Sequence, residues 1–295
     1  MEFHILKPKH CLFLPLFLLS LSACTERIAI ETEGGDGRLI IYGYITNESA
    51  EHAIRITRSN SYFAQTKPEG VSGALVTVRS DTETFAFTES DTEPGLYRTA
   101  PGTAGTEGND YTLHVSLDFD GDGQAEEFEA SSSLPLAAQL DSIGVGQSPV
   151  FDEFMEIRFY GRLPDNAENY LSIHAYINNT ALNDSLPDFT VVGGKYLVQK
   201  ELNGLPCFYL NQEEDGKLSW GDYVSLRVDV LTKEYTDFLD NAASEAQGSI
   251  PLFSNPPANV ETNIRGLNNP SRIPVSGFFS AFSSSRAGIY YYGND

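Results

Sequence analysis

Ala53-Ile54-Arg55-Ile56-Thr57-Arg58 alternates apolar and polar side chains with a period of two. That period marks a half-buried β-strand, because successive side chains leave a strand on opposite faces. The same reading extends outward. Leu39 to Thr46 precedes the run, and Ala74 to Arg79, Thr84 to Thr88, Leu96 to Thr99, Tyr111 to Leu117 and Phe128 to Ser132 follow it. Val, Ile, Thr, Tyr and Phe fill these runs, and turn-forming residues separate them. Seven short strands without any helical period predict an immunoglobulin-like β-sandwich over residues 38–138. The Cys…Trp…Cys signature of antibody domains is absent, so the prediction concerns architecture alone.

Leu134-Pro135-Leu136-Ala137-Ala138-Gln139 reads as a hinge into a second β-rich domain, residues 139–295. Asp141-Ser142-Ile143 opens it. Phe154 to Tyr160, Tyr170 to Ile177, Lys195 to Lys200, Cys207 to Leu210 and Tyr223 to Leu231 read as strands. One short helix is expected from Thr232 to Gln247. Tyr235, Phe238, Leu239 and Ala242 fall on one helical face, Thr232 suits the N-cap, and Gly248 follows the last turn. Asn255-Pro256-Pro257-Ala258-Asn259 reads as a loop, and two closing strands run from Val275 to Phe282 and from Gly288 to Tyr292. The fold class is therefore all-β, in two domains.

The N-terminus reads as an address. Lys7, Lys9 and His10 precede the apolar run Cys11 to Leu21, which has the size of a signal-peptide core and is too short to span a bilayer comfortably. Leu21-Ser22-Ala23-Cys24 follows and resembles the bacterial lipobox, which implies a signal peptide over residues 1–23 and lipidation of Cys24. Residues 24–37 are polar and glycine-rich, as a flexible tether would be. No later apolar run approaches about 18 residues, so lipid would be the only anchor.

The 295 residues carry a formal net charge of −22, which argues against nucleic acid as a partner, because a polyanion would be repelled. Three cysteines support neither a disulfide scaffold nor a cysteine-rich zinc module. Beyond the signal, Cys207 reads as a small buried hydrophobe. His52, His114 and His174 sit singly in or beside strand runs and read as structural. HExxH, G-x-S-x-G, P-loop and G-x-G-x-x-G patterns are all missing, so a non-enzymatic protein is expected.

The most specific local signal is Asp118-Phe119-Asp120-Gly121-Asp122-Gly123-Gln124-Ala125-Glu126-Glu127-Phe128-Glu129. It satisfies the calcium-loop pattern D-x-[DN]-x-[DN]-G-x₅-E. Calcium takes about six to eight oxygens at roughly 2.3–2.6 Å, and alternating aspartates on a tight loop can aim carboxylates inward. Asp118, Asp120, Asp122, Gln124, Glu126 and Glu129 are the candidate ligands, with calcium as the candidate cofactor. The flanks alternate like strands, so the expected object is a loop at a hairpin tip. There Glu126 is a natural closing ligand and Glu129 follows along the returning strand.

Aromatic residues are abundant, with 18 Phe, 15 Tyr and one Trp. Phe278-Phe279 and Tyr290-Tyr291-Tyr292 place rings on both faces of a strand; one face reads as core and the other as exposed or covered by a partner. Trp220 is expected to anchor a core.

Several elements, in order, resemble the Bacteroidota lipoproteins catalogued as domain of unknown function 4249. They are Ile41 to Asn47, Val71 to Val78, Pro94 to Arg98, Tyr111-Thr112-Leu113, Ser133-Leu134-Pro135 before Asp141-Ser142-Ile143, Asn259 to Ile264 and Gly277 to Ala281. The resemblance supplies no catalytic residues. It implies an outer-membrane lipoprotein, lipid-anchored and on the cell-surface side, acting as an accessory or binding component beside a TonB-dependent transporter in nutrient uptake. The alternative is a surface adhesin or glycan-binding lipoprotein.

Overall fold

The alternating run Ala53–Arg58 is strand β2 of a computed structural model that describes residues 37–59, 68–165, 168–182, 190–194, 197, 199–211, 218–246, 260–269 and 272–293. The signal segment, Cys24 and all but the last residue of the tether lie outside the described residues, as do Gly248 and the loop Asn255–Asn259.

Strand β1 (Leu39–Thr46) pairs antiparallel with β2, and β2 pairs with β3 (Glu69–Gly70) and β6 (Leu96–Arg98). Strands β4 (Leu75–Arg79), β5 (Thr84–Glu89), β7 (Asp110–Leu117) and β8 (Glu126–Ser133) run in the order β5-β4-β7-β8. Thr88 and Glu89 of β5 pair with Arg98 and Tyr97 of β6, so one layer folds over into the other instead of ending in an open edge. Between the layers lies a core that includes Leu39, Ile41, Ile54, Ile56, Val78, Leu113, Val115 and Phe128, all buried. The period-two alternation puts them there: in β7, Tyr111, Leu113, Val115 and Leu117 are buried and the residues between them are not.

A second pair of layers follows. Strands β9 (Gln139–Gln147), β10 (Phe154–Arg162) and β14 (Glu201–Asn211) form a three-stranded sheet with β10 in the middle. Facing it are β11 (Asn169–Ile177), β12 (Thr180–Ala181), β13 (Thr190–Gly194) and β15 (Tyr223–Leu231). Their shared core includes Ile157, Phe159, Leu171, Ile173, Val224, Leu226 and Val228. Both halves are all-β and sandwich-like, as the strand pattern predicts.

Three differences from the sequence reading have clear causes. Lys195 to Lys200 was expected as a strand, but Leu197, Gln199 and Lys200 are not in one. Gly194 adopts φ 64°, and the Leu197 N–H turns back to its carbonyl at 3.2 Å. The two expected closing strands are one, β17 (Val275–Tyr290). Its first half pairs parallel with β1 and its second half antiparallel with β15. The small side chains of Ser280, Ala281, Ser283 and Ser284 are buried along the crossing, so the serine run continues the ladder where it reads as a break. Because β17 serves both cores, the boundary expected at 138/139 is a change of core and not a break. Residues 37–295 form one unit, and Ile264, Ile273, Phe279 and Ala281 return to the first core. The third difference is Trp220, which is 77% exposed and anchors no core. It sits on the turn before β15.

The helix α1 (Lys233–Ala246) is capped as expected: the Thr232 Oγ1 accepts the Tyr235 N–H at 3.2 Å. Tyr235, Phe238 and Leu239 lie on Phe278 and Phe282 of β17, and the Tyr235 and Tyr42 hydroxyls meet at 2.9 Å. Phe279 points the other way, into the first core. The second face of that strand is therefore covered by the chain's own helix.

Candidate metal centre

The hairpin β7–β8 closes at the pair Leu117 and Glu126, which leaves residues 118–125 as its tip. Aspartates write the local conformation. Asp118 accepts the Gly121 N–H at 2.8 Å on Oδ1 and the Gly123 N–H at 3.0 Å on Oδ2. Asp120 accepts the Asp122 N–H at 3.2 Å, and Asp122 accepts the Gln124 N–H at 2.7 Å. Side-chain oxygens bonding backbone a few residues on are the usual device of Asp in turns. Gly121 and Gly123 have φ of 78° and 86°, the left-handed region that glycine enters without strain.

The root of the loop is fixed by a residue the motif leaves unassigned. Phe119 is buried in the first core, the Arg58 guanidinium lies 3.8 Å from its ring centroid, and Arg58 also donates to the Phe119 carbonyl at 2.7 Å. One large apolar side chain in an otherwise polar loop was the only sequence signal for this anchor.

Asp118, Asp120 and Glu126 each bring a carboxylate oxygen to within 4.8 Å of the others. Opposite ligands around a calcium ion lie no more than about 5 Å apart, so the spacing fits one coordination shell. Asp118 and Asp120 are exposed, whereas Glu126 is wholly buried. Its Oε2 accepts the Phe119 N–H at 3.0 Å, and its Oε1 has no hydrogen-bond partner. An ionised carboxylate without full compensation is among the more expensive groups to bury. A donor set made only of oxygens suits a hard cation.

The remaining candidate ligands are placed otherwise. Asp122 turns both oxygens to Gln124, accepting the backbone N–H and, at 3.4 Å, the side-chain amide. Gln124 is exposed. Glu129 is corrected as a ligand: the Arg265 guanidinium of β16 (Arg265–Asn268) holds its carboxylate at 2.5 Å. The cause is strand geometry. Glu126, Phe128 and Ala130 face inward, and an odd offset places Glu129 on the other face. A helix after the loop would have brought position 129 around; a strand does not.

Two of the candidate histidines, His52 and His174, have side-chain partners. His52 is buried with its Nε2 3.1 Å from the Thr103 carbonyl, and burial holds its pKa below the usual histidine value. His174 meets Ser172 at 3.0 Å and Asp229 at 3.4 Å through the same nitrogen, Nε2. Asp229 is further held by Arg227 at 2.9 Å and Ser284 at 2.6 Å. Cys207 is partly buried, and burial pushes its thiol pKa up to about 12.

The family model described as "Domain of unknown function (DUF4249)" matches residues 25–287. No curated protein matches. Among solved structures, the crystal structure of chicken CNTN1 FN1-FN3 domains is similar at 12% identity and a TM-score of 0.26, over 67% of this chain and 63% of that one. The chain thus spans less than two thirds of that structure's length.

Proposed function

Because this chain belongs to the family described as domain of unknown function DUF4249, whose description assigns no reaction, we propose a binding role for it. The protein is a non-enzymatic lipoprotein of a Bacteroidota outer membrane, held by lipid on Cys24, on the cell-surface side. It serves a TonB-dependent transporter as an accessory in nutrient uptake. Its β7–β8 hairpin is ordered by calcium held between Asp118, Asp120 and Glu126.

The anchor is supported by Leu21-Ser22-Ala23-Cys24 ahead of a polar stretch that leads directly into β1 at Leu39. No helix among the described residues is long and apolar enough to cross a membrane. Two acyl signals together, at about 0.8 kcal/mol per buried CH₂, would be needed to hold such a chain on a bilayer durably. The calcium site rests on one observation above all, the buried Glu126 whose Oε1 has no partner beside two exposed carboxylates. A divalent ion would supply that missing partner.

Purification of the full chain from outer membranes in mild detergent tests the accessory role. A β-barrel transporter should accompany it in stoichiometric amount. Recovery of the chain from the outer membrane with no β-barrel would remove the accessory role and favour the adhesin or glycan-binding alternative.

A further inference from the structure

We infer that calcium on the β7–β8 hairpin bridges the protein to lipid phosphates of the bilayer that anchors it. Such a bridge names the outer partner of the proposed site, and it rests on calcium at that site and on lipid at Cys24.

The acidic loop stands at the end where the chain enters the fold. Leu39 and Arg58 are register partners, at the start of β1 and the end of β2. Gly37 lies against the Arg58 side chain, where an added Cβ would fall 2.8 Å from Cγ. The guanidinium of the same arginine donates to the Phe119 carbonyl at 2.7 Å and covers the Phe119 ring. One side chain thus joins the entry point to the root of the loop. Residues 24–36 separate the proposed lipid from Gly37, and a chain of that length spans at most about 45 Å. The hairpin tip is therefore held close to the lipid surface. A weak contact made there is intramolecular, at an effective concentration of about millimolar for a short flexible linker.

The site has room for an outside ligand. Calcium takes about six to eight oxygens, and the three converging carboxylates reach six only if each binds with both of its own. Both Asp118 oxygens and one Glu126 oxygen already accept a backbone N–H. The Asp122 carboxylate is turned to Gln124. Glu126 is wholly buried while Asp118 and Asp120 are exposed, so the site opens outward past two carboxylates. A phosphate oxygen is a hard anionic donor and suits an open calcium position.

Cations without a carboxylate gather at the same end. Among the described residues, Arg38, Arg58 and Arg272 form no salt bridge, whereas Arg55, Arg158 and Arg286 hold Glu93, Glu156 and Glu48. Arg79, which also lacks one, sits at the end of β4 farther from the hairpin tip. Arg38 is exposed, and its Nη1 donates to the Ser276 hydroxyl at 2.9 Å. Arg272 is exposed two residues before Pro274, whose carbonyl accepts the Leu39 N–H at 3.0 Å. In a chain with 41 acidic and 19 basic residues, arginines left without a carboxylate are the uncommon state. A guanidinium pairs readily with phosphate oxygens.

The ion sets the sign of the contact. The net charge of −22 opposes an anionic surface, but salt screens charges farther away than about 8 Å, so those at the hairpin end decide. Calcium offsets two of the three formal negative charges of Asp118, Asp120 and Glu126. The calcium-free loop then repels lipid phosphate, and the loaded loop binds it with Arg38 and Arg272 alongside. By linkage, lipid phosphate tightens calcium binding by the same factor as calcium tightens the lipid contact.

The lipidated full chain is placed in nanodiscs of phosphatidylglycerol, in nanodiscs of digalactosyldiacylglycerol, which is neutral and free of phosphate, and in detergent. Amide exchange of residues 118–125 against calcium concentration gives the midpoint of calcium binding. The midpoint should fall at least about tenfold in phosphatidylglycerol relative to the galactolipid, the scale of two basic residues reaching an anionic surface. Arg38→Ala/Arg272→Ala should lose most of that fall, with exchange in β9–β15 unchanged to show that the variant is folded. Arg38→Lys/Arg272→Lys, which keeps the charges, should keep most of it. Equal midpoints in the two lipids would overturn the bridge. So would an undiminished fall in the alanine variant, because the charged surface would then only be concentrating calcium. An equal fall given by millimolar glycerol 3-phosphate in detergent would assign the open positions to a soluble phosphate ester and overturn the bilayer as partner. Those outcomes leave the calcium site standing, whereas a loop that calcium does not protect even in detergent would remove the site and the bridge together. Mass spectrometry of Cys24 reads the anchor separately.

Discussion

The Phe119 N–H donates to the Glu126 Oε2 at 3.0 Å, and the same carboxylate keeps its Oε1 buried without a partner. One hydrogen bond thus fixes the side chain whose carboxylate lies near those of Asp118 and Asp120, while its second oxygen has no hydrogen-bond partner. On the proposed calcium reading, the consequence for stability has opposite signs with and without the ion.

Glu126→Gln keeps the shape and removes the charge. In chelator the variant should be as stable as the wild type or more stable, because a buried, incompletely paired charge costs about 1–3 kcal/mol. In millimolar calcium it should be the less stable of the two. Thermal melts of both proteins in both buffers give the four numbers, and a variant that is weaker in chelator as well would assign Glu126 a purely structural role.

Gly277→Ala tests the crossing strand. Gly277 has φ of 101°, and a Cβ there would fall 2.0 Å from the Ile41 carbonyl oxygen in β1. The substitution should destabilise the chain by at least about 1–3 kcal/mol, the range for strained backbone. Since β17 joins both cores, both should lose protection in hydrogen exchange. Loss confined to one core would mean that the two halves fold independently.

Cys207 should be inert. A thiol with its pKa pushed up to about 12 by burial is protonated at pH 8, and the thiolate is the reacting species. Its Sγ also donates to the Ile157 carbonyl at 3.3 Å. Ellman's reagent at pH 8 should find this thiol only after denaturation. Rapid labelling of the folded protein would contradict the buried placement.

Cys24→Ser should release the protein from the outer membrane, leaving it in the periplasm or uncleaved at the inner membrane. Immunoblots of membrane fractions decide it. Unchanged outer-membrane fractionation of the variant would mean a different anchor.

The first sandwich was legible because its strands alternate cleanly between turn residues. The Leu39, Ala53 and Tyr223 strands begin where their patterns begin. The continuity of β17 was not legible, since Ser283-Ser284-Ser285 looks like a break until Ser284 is seen bonded to Asp229 across the ladder. The acidic loop was legible as a hairpin tip. The partner of Glu129 was not, because Arg265 arrives from 136 residues away. Phe119 as an anchor and Trp220 as an exposed ring both depend on which side of a turn a side chain leaves, and composition carries no such information.

Calorimetric melting of the full chain, with millimolar calcium and with chelator, tests the central claim most directly. If calcium binds only the folded protein, a concentration 100 times the dissociation constant adds about 2.7 kcal/mol. For a unit of this size that is a rise of about 5–10 °C in melting temperature. Asp120→Ala should abolish the rise, and magnesium should give little of it, because it demands a tighter octahedron. Superimposable curves in calcium and chelator would contradict the site and leave the loop a polar hairpin.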